Sequence, residues 1–262
     1  MPLGVSPLDT AQREGRLWTP LQLRASGNGM FMFCDTSELE SLQGSVTNTL
    51  WRDMSGRGNH FTAGTLPPRT ATFAGATQTY AIDFDGTFGT QTGSAVDSTA
   101  IFPDRQTGIV TVIMKYTSGT VQMKWENNGG SSRVGIETGN RVDWATDSGG
   151  KLEGWTEAIT STGFKICSIR RTTGGKTVRI NGLQVASDTN TDLLNTGTSS
   201  AWAIGSDVGG SLQSVCSYKA LIVTSHSDPL TEQRIEGYLA WQHGIRLAAS
   251  HPYRDAPPTI GG

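Results

Sequence analysis

The sequence carries little charge, and no long run of either sign. Its 262 residues include 21 Lys and Arg and 23 Asp and Glu, which gives a formal net charge of −2. No run of basic residues is longer than two. A protein that binds nucleic acid through its phosphates needs a stripe of basic side chains. We therefore expect no nucleic-acid partner.

The sequence has few residues of the kinds that hold metals or act as nucleophiles. Its three cysteines, Cys34, Cys167 and Cys216, form no C-x-x-C pair, and its four histidines are scattered. Neither an H-x-x-x-H nor a G-x-S-x-G motif is present, and no glycine-rich segment matches the phosphate-loop pattern G-x-x-x-x-G-K-[ST]. These absences predict no zinc site, three free buried thiols and no catalytic residues. We therefore expect a chain that is not an enzyme.

Long apolar stretches are also missing. No segment approaches the roughly 18–20 apolar residues that cross a bilayer, so we expect no membrane association. The first nine residues, Met-Pro-Leu-Gly-Val-Ser-Pro-Leu-Asp, have neither the basic start nor the apolar centre of a signal peptide. The sequence thus predicts a protein that is not secreted by that route.

Small and β-branched residues dominate what is present. Gly, Ser and Thr make up 91 of the 262 residues, while apolar residues account for 35%. Short apolar runs separated by turn residues are typical of antiparallel β-sandwiches and barrels. The clearest predicted strands are 30–34, 81–84, 109–116, 120–125, 133–137, 141–145, 164–171, 176–180, 183–187, 201–205 and 218–224.

Two of these runs predict finer detail. The segment 109–114 is almost wholly apolar, which indicates a strand that is covered on both faces. Asn181-Gly182 separates two alternating runs, and this dipeptide tolerates the positive φ angles of a type I′ hairpin turn. The sequence therefore predicts a tight hairpin centred on Asn181 and Gly182.

One segment has the pattern of a helix. The spacing predicts it at about 231–243, with Thr231 as N-cap and Gly244 as the stop. Ile235, Tyr238 and Leu239 share one face of this helix, which we expect to pack on the sheet. The organisation predicted is an N-terminal arm over 1–20, one sandwich domain over 21–250 and an extended, proline-rich tail over 251–262.

Two segments resemble a known family. Trp51-Arg-Asp-Met-Ser-Gly-Arg-Gly-Asn59 is similar to the W-x-D-x-S-G-x-G-N motif of concanavalin A-like, LamG-type jelly-roll domains. Residues 229–245 resemble their C-terminal helix, although Gln242-His243 replaces the usual Lys-Trp. Weaker similarities, at 82–86, 178–185 and 203–205, lie between these two segments in the same order as in the family. The resemblance covers about residues 20–258 and implies an antiparallel jelly-roll sandwich with one short C-terminal helix.

The resemblance also suggests a function. Domains with this helix and tail are found in tailed-bacteriophage virion proteins and in bacterial surface proteins, and the sequence lacks the E-x-D-x-E residues of glucanase relatives. It thus implies a virion structural protein made in the host cytoplasm, most simply a capsid decoration (minor capsid) protein. Its partner would be the major capsid protein, and it would form a homo-oligomer such as a trimer. The alternative is a carbohydrate-binding module of a phage tail or bacterial surface protein, with a surface glycan as ligand.

The motif residues allow a structural and a metal-binding interpretation. Gly, Asx and Ser residues at this spacing are typical of a tight turn, with Trp51 in the core. Asp53 is the candidate calcium ligand, although one carboxylate is few for an ion that takes six to eight oxygens. We expect no cofactor and predict a structural role for the motif and helix residues, which are Trp51, Asp53, Ser55, Gly56, Gly58, Asn59, Ile235, Tyr238 and Leu239.

Two further groups of residues are candidates for contacts. At least one of Trp125, Trp144, Trp155 and Trp202 is a candidate for stacking on a sugar ring. The N-terminal arm has apolar side chains without a helical or strand period, and burying them against another virion protein would offset the cost of ordering them. The alternative is that the arm covers an edge strand of its own domain. The candidate partner contacts are Leu3, Val5, Leu8, Leu17 and Trp18.

Overall fold

The described residues form a sandwich of two antiparallel sheets with an α-helix near the C-terminus, as the sequence predicts. A short 3-10 helix, Pro20–Arg24, precedes the first strand. The computed structural model describes residues 17–24, 29–37, 42–43, 50–62, 69–74, 77–86, 90–92, 102–119, 121–127, 132–137, 141–146, 151–152, 163–191, 193–194, 200–206 and 214–260.

Within these residues the first sheet has eight strands. They are β1 (Met30–Asp35), β5 (Arg69–Ala74), β6 (Thr77–Asp85), β8 (Gly108–Gly119), β13 (Lys165–Thr172), β14 (Gly175–Ile180), β15 (Leu183–Asp188) and β17 (Ser214–Thr224). Their hydrogen-bonded order is β15-β14-β13-β8-β17-β6-β5, and β1 pairs with β17 as well. The strands at the centre, β8 and β17, are therefore far apart in sequence.

The second sheet has nine strands in the described part of the chain. They are β2 (Leu42–Gln43), β3 (Leu50–Trp51), β4 (Phe61–Thr62), β7 (Thr90–Thr92), β9 (Val121–Asn127), β10 (Ser132–Glu137), β11 (Arg141–Thr146), β12 (Lys151–Leu152) and β16 (Ser200–Ile204). Their order is β12-β11-β10-β9-β16-β7-β4-β3-β2. All eleven predicted strands are present, with small differences in their bounds.

The eight-stranded sheet is covered on both faces. Val110, Val112 and Met114 of β8 belong to the core between the sheets, whereas Ile109 and Ile113 belong to a second core beneath the helix. Alternate residues of a strand point to opposite faces, so an apolar run such as 109–114 suits a strand in the middle layer. The prediction that this strand is covered on both sides is confirmed.

The predicted hairpin is also present. Asn181 and Gly182 have φ angles of 49° and 80°, and they join β14 to β15. Asn181 is held on both sides, because its N–H donates to the Ile166 carbonyl and its Oδ1 accepts from the Ile166 N–H, each over 2.8 Å. The turn thereby ties the β14-β15 hairpin to β13.

The helix α1 spans Pro229–His243, and its cap differs from the predicted one. The N-cap is Asp228 rather than Thr231, because the Asp228 side chain accepts the Thr231 N–H over 2.8 Å and Pro229 occupies the first turn. Gly244 ends the helix with a φ of 65°, as expected. Ile235, Tyr238, Leu239 and Ala240 are buried against the eight-stranded sheet. No helix among the described residues is both long and apolar enough to cross a membrane.

The two ends of the described chain lie together on the body. Leu17 pairs with Thr259, and the Trp18 N–H donates to the Pro258 carbonyl over 3.0 Å. Leu17 and Trp18 are each only 5% exposed, and Trp18 packs in the core beneath α1. The expectation that these two residues contact a partner is therefore corrected, since their own domain buries them. Leu3, Val5 and Leu8 lie outside the described residues.

The C-terminal tail is packed rather than extended. The Trp241 Nε1–H donates to the Tyr253 carbonyl over 2.8 Å, and His251 is buried. A Cβ on Gly237 would lie 2.6 Å from the Tyr253 Cβ, so the missing side chain at 237 lets the tail approach the helix. The tail turns back at 248–254, where the His251 and Arg254 N–H groups donate to the Ala248 and His251 carbonyls.

Candidate functional site

The Trp51–His60 turn is built around the carboxylate of Asp53. Its Oδ1 accepts the N–H groups of Phe33 and Ser55 over 2.9 and 2.8 Å. Its Oδ2 accepts the Asn59 N–H over 3.0 Å and lies 2.7 Å from the Ser55 hydroxyl. Each oxygen therefore has two partners within the chain, and the carboxylate of the calcium candidate is engaged by the turn itself.

The same turn is fastened to the neighbouring strand of the other sheet. The Asn59 Nδ2 donates to the Phe31 carbonyl of β1 over 2.9 Å, and Trp51 is fully buried between the sheets. Gly56 and Gly58 have φ angles of 85° and 77°, a region that favours glycine. In this geometry the motif residues join the two sheets. Ile235, Tyr238 and Leu239, for which a structural role is predicted as well, are buried in the core beneath α1.

A second polar cluster lies between α1 and the β13-β14 hairpin. The Arg170 Nε is 2.9 Å from Glu232 Oε2, and the Arg179 Nε is 3.0 and 3.1 Å from the two Glu236 oxygens. The His251 Nε2 reaches the same Glu236 carboxylate over 3.0 Å. His251 Nδ1 accepts the Tyr253 N–H, so Nε2 carries the proton that it donates to Glu236.

The two glutamates of this cluster differ in their surroundings. Burial raises the pKa of Glu232 to about 7, and the nearby charge of Glu236 acts in the same direction, while Arg170 opposes both. Glu236 has two partners for its two oxygens, whereas the Oε1 of Glu232 is buried without a hydrogen-bond partner. A carboxylate with a raised pKa occurs at many catalytic sites, but this one faces a packed helix–sheet interface rather than a cleft.

A third cluster holds the C-terminal end of α1 to β1. The His243 Nε2 lies 3.0 Å from Asp35 Oδ1, and both side chains are fully buried. Asp35 Oδ1 also accepts the Ser37 hydroxyl over 2.6 Å, and the Gln242 Nε2 donates to the Ser37 oxygen over 3.0 Å. Because the Ser37 hydroxyl donates to Asp35 and not to His243, the arrangement does not activate a nucleophile.

The two aspartates of β6 differ in exposure, and the three cysteines are buried. Asp83 and Asp85 lie on either side of the buried Phe84, and Asp83 is half-buried while Asp85 is exposed. Cys34, Cys167 and Cys216 are free and buried, and burial raises the pKa of Cys216 to about 12. Over the described ranges, no three His, Cys, Asp or Glu side chains come close enough together to hold a metal ion.

The tryptophans proposed as sugar platforms are placed differently from expectation. Trp144 and Trp202 are fully buried between the sheets, which corrects their assignment as platforms. Trp155 lies outside the described residues, and for Trp125 the structure gives only its register position, opposite Val134 and Trp202.

A cleft lies where α1 meets the tail, and sequence reasoning missed it. Its volume is about 210 Å³, and its lining residues are Ala240, Trp241, Gly244, Ile245, Arg246 and Arg254. Trp241 is half-buried, and its hydrogen bond to the Tyr253 carbonyl fixes the indole. The one available signal was an aromatic residue in the helix away from the face formed by Ile235 and Leu239.

Comparison with known proteins gives the fold. No family model matches the chain, and no curated protein matches its sequence. A GH54 α-L-arabinofuranosidase soaked with a cyclic sulfate inhibitor has a TM-score of 0.61 at 10% identity, covering 89% of this chain and 68% of that one. The Trypanosoma rangeli sialidase in complex with sialic acid has a TM-score of 0.54 at 12% identity, covering 85% of this chain. This chain spans about a third of the sialidase, 34% of its length.

These findings correct the expectation that the chain is not an enzyme. The similar structures are glycoside hydrolases, so the prediction drawn from missing motifs is wrong. A sandwich brings together side chains from distant strands, and a search for short motifs does not detect such an arrangement. At 10–12% identity, the likeness itself shows the fold.

Proposed function

We propose that this sandwich domain binds a carbohydrate in the cleft beside Trp241. The observation that carries the proposal is the half-buried indole of Trp241 in the wall of that cleft. Trp18, Trp51, Trp144 and Trp202 are at most 5% exposed, so Trp241 is the accessible one among the tryptophans whose side chains the structure describes. A sugar ring presents C–H groups on its faces, which pack on an aromatic ring, and hydroxyls at its edge.

The surroundings of Trp241 suit a ligand of about one sugar ring. The cleft of about 210 Å³ is smaller than the roughly 300–1,000 Å³ of drug-sized sites. Ala240, Gly244 and Ile245 supply apolar surface, and the side chains of Arg246 and Arg254 supply donors for hydroxyl or carboxylate oxygens. The proposal is also supported by the shared fold, because the similar sialidase and arabinofuranosidase structures contain sialic acid and an arabinofuranosyl-xylobiose.

Trp241→Ala is expected to weaken glycan binding by about tenfold or more, because it removes the stacking surface. The measurement is a glycan array followed by titration calorimetry on the glycans that bind. Leu230→Ala is the matched control, since Leu230 is 46% exposed at the other end of the same helix and should leave binding unchanged. A Trp241→Ala protein that binds the same glycans as tightly as the wild type contradicts the proposal, as does a wild type that binds none.

We propose as a second candidate a virion protein of a tailed phage, in which the domain decorates the capsid through the major capsid protein. It is supported by the resemblance of residues 51–59 and 229–245 to domains found in such proteins. The bridge between Leu17 and Thr259 also places the two ends of the described chain side by side on the sandwich.

Deleting residues 2–16 tests this candidate while retaining Leu17 and Trp18, which are buried in the domain. We expect the truncated protein to fold with its normal melting temperature and to be lost from purified particles. A triple variant, with Leu3→Ala, Val5→Ala and Leu8→Ala, tests whether these three predicted contacts account for the loss from particles. Incorporation at the wild-type level by both proteins argues against an interface in this segment.

A further inference from the structure

The cleft beside Trp241 has a positive electrostatic character. Arg246 is exposed and Arg254 is partly exposed, and both line the same small cavity. In the described part of the chain Arg246 makes no ion pair, and the Arg254 Nε is 3.9 Å from the carboxylate of Asp255. Because the Asp255 side chain is 94% exposed, water screens that contact and it neutralises Arg254 weakly. The guanidinium groups of these two lining residues therefore lack a close, buried counter-charge.

This arrangement differs from that of other arginines packed near α1. Arg170 and Arg179 lie under the helix, and each is bound by a buried glutamate within 3.0 Å. Those two arginines have structural partners, so they are not available to a ligand. Arg246 and Arg254 keep donor groups for an anion from outside the protein.

The wall of the cleft is held in place before any ligand arrives. The Arg254 N–H donates to the His251 carbonyl, and the side chain of His251 is fixed by Glu236. On the other side, Trp241 is tied to the Tyr253 carbonyl. The turn over 251–254 and the last turn of α1 are thus joined, and a ligand that binds between them loses little affinity to ordering the protein.

The two arginines also lie near the negative end of the helix dipole. Cations at that end of a helix are modestly favourable. Stabilisation of the helix end accounts for the two positive charges. It does not account for the indole of Trp241, which lines the same cleft. The combination of an accessible aromatic ring with two guanidinium groups is what a flat ring bearing a carboxylate would match.

We infer that the ligand of this cleft is a sugar that carries a carboxylate, with the ring on Trp241 and the carboxylate bound by Arg246 and Arg254. The inference rests on the proposed carbohydrate-binding function and names its ligand class. Two kinds of sugar have this chemistry, the hexuronates and the sialates, and both are included among the probes.

The experiment is titration calorimetry with trigalacturonate, with its neutral methyl ester, and with sialyllactose beside lactose. The wild type should bind one acidic sugar at least about tenfold more tightly than its neutral counterpart. Arg246→Gln and Arg254→Gln should each lose most of this preference, and added salt should weaken binding of the acid form. Arg105→Gln, a partly exposed arginine in the loop before β8, removes the same charge outside the cleft and should bind as the wild type does.

The possible outcomes distinguish a failure of the carboxylate assignment from a failure of the proposed carbohydrate-binding function. If the protein binds glycans through Trp241 but acidic and neutral sugars bind equally well, the carboxylate assignment is wrong and the proposed function stands. If Arg246→Gln and Arg254→Gln lower only the melting temperature and leave acidic-sugar binding unchanged, the two arginines serve the helix end alone. If no glycan binds the wild type, the proposed function and this inference both fail.

Discussion

Replacing Glu236 with alanine is expected to lower the free energy of unfolding by about 3–5 kcal/mol, because it leaves buried charge without its partner. The Glu236 side chain is fully buried and binds Arg179 with both oxygens and His251 with one. Its loss releases the β13-β14 hairpin and the C-terminal tail from α1 at the same time. Urea unfolding followed by circular dichroism measures the change.

Glu232→Gln is the matched control, one turn earlier on the same helix. The raised pKa of Glu232, about 7, means that burial already favours its neutral form near neutral pH. A glutamine oxygen can still accept from Arg170, so we expect a loss below about 1 kcal/mol. Equal losses from Glu232→Gln and Glu236→Ala would show that the two carboxylates are equivalent and that our account of the cluster is incorrect.

The raised pKa of Glu232 also predicts that the free energy of unfolding depends on pH. Unfolded, Glu232 releases its proton near its ordinary pKa of 4.5, whereas the folded protein holds that proton up to about 7. The folded state therefore binds more protons between these values, and this contribution to stability is lost as the pH rises from 4.5 to 7. It amounts to at most about 3 kcal/mol. Glu232→Gln should remove the slope.

Much of the fold follows from local patterns in the sequence. The apolar runs, the Asn181-Gly182 turn and the helix stop at Gly244 each depend on neighbouring residues, and the structure places all of them as predicted. Strands such as Leu42–Gln43 and Thr90–Thr92 could not be predicted, because two or three residues are too few to show a period. They are strands only because a longer neighbour pairs with them.

Contacts between distant segments explain the other differences. Trp18 is buried because the C-terminal tail, about 240 residues later, meets it at Pro258. The cleft has the same origin, since Arg254 joins Trp241 only after the tail turns back at 248–254. Helical periodicity predicts which face of α1 is buried, but it does not predict a cleft on the opposite face of the helix.

Gln242 and His243, at which the sequence differs from the helix motif it resembles, have structural partners in this chain. They contact Ser37 and Asp35 at the end of β1. The end of the helix is therefore held by a buried polar cluster. Reading the sequence alone could not reveal this, because the two segments are more than 200 residues apart.

Asp53→Ala should have an effect as large as that of Glu236→Ala, about 3–5 kcal/mol. The substitution leaves the buried N–H groups of Phe33, Ser55 and Asn59 without acceptors, and each unsatisfied buried donor costs roughly 1–3 kcal/mol. Since the turn also connects β3 and β4 with β1, the two sheets lose a common attachment. Thermal and urea unfolding measure the loss.

Asp104→Ala is the control for this experiment, because Asp104 makes the same kind of contact in an exposed turn. Its carboxylate accepts the Gln106 and Thr107 N–H groups, yet water can replace it, so we expect a loss of about 1 kcal/mol.

Adding EDTA to the wild type separates the two interpretations of Asp53. With both carboxylate oxygens occupied by the turn, the melting temperature should not change. A fall that matches the Asp53→Ala variant would instead identify Asp53 as a calcium ligand.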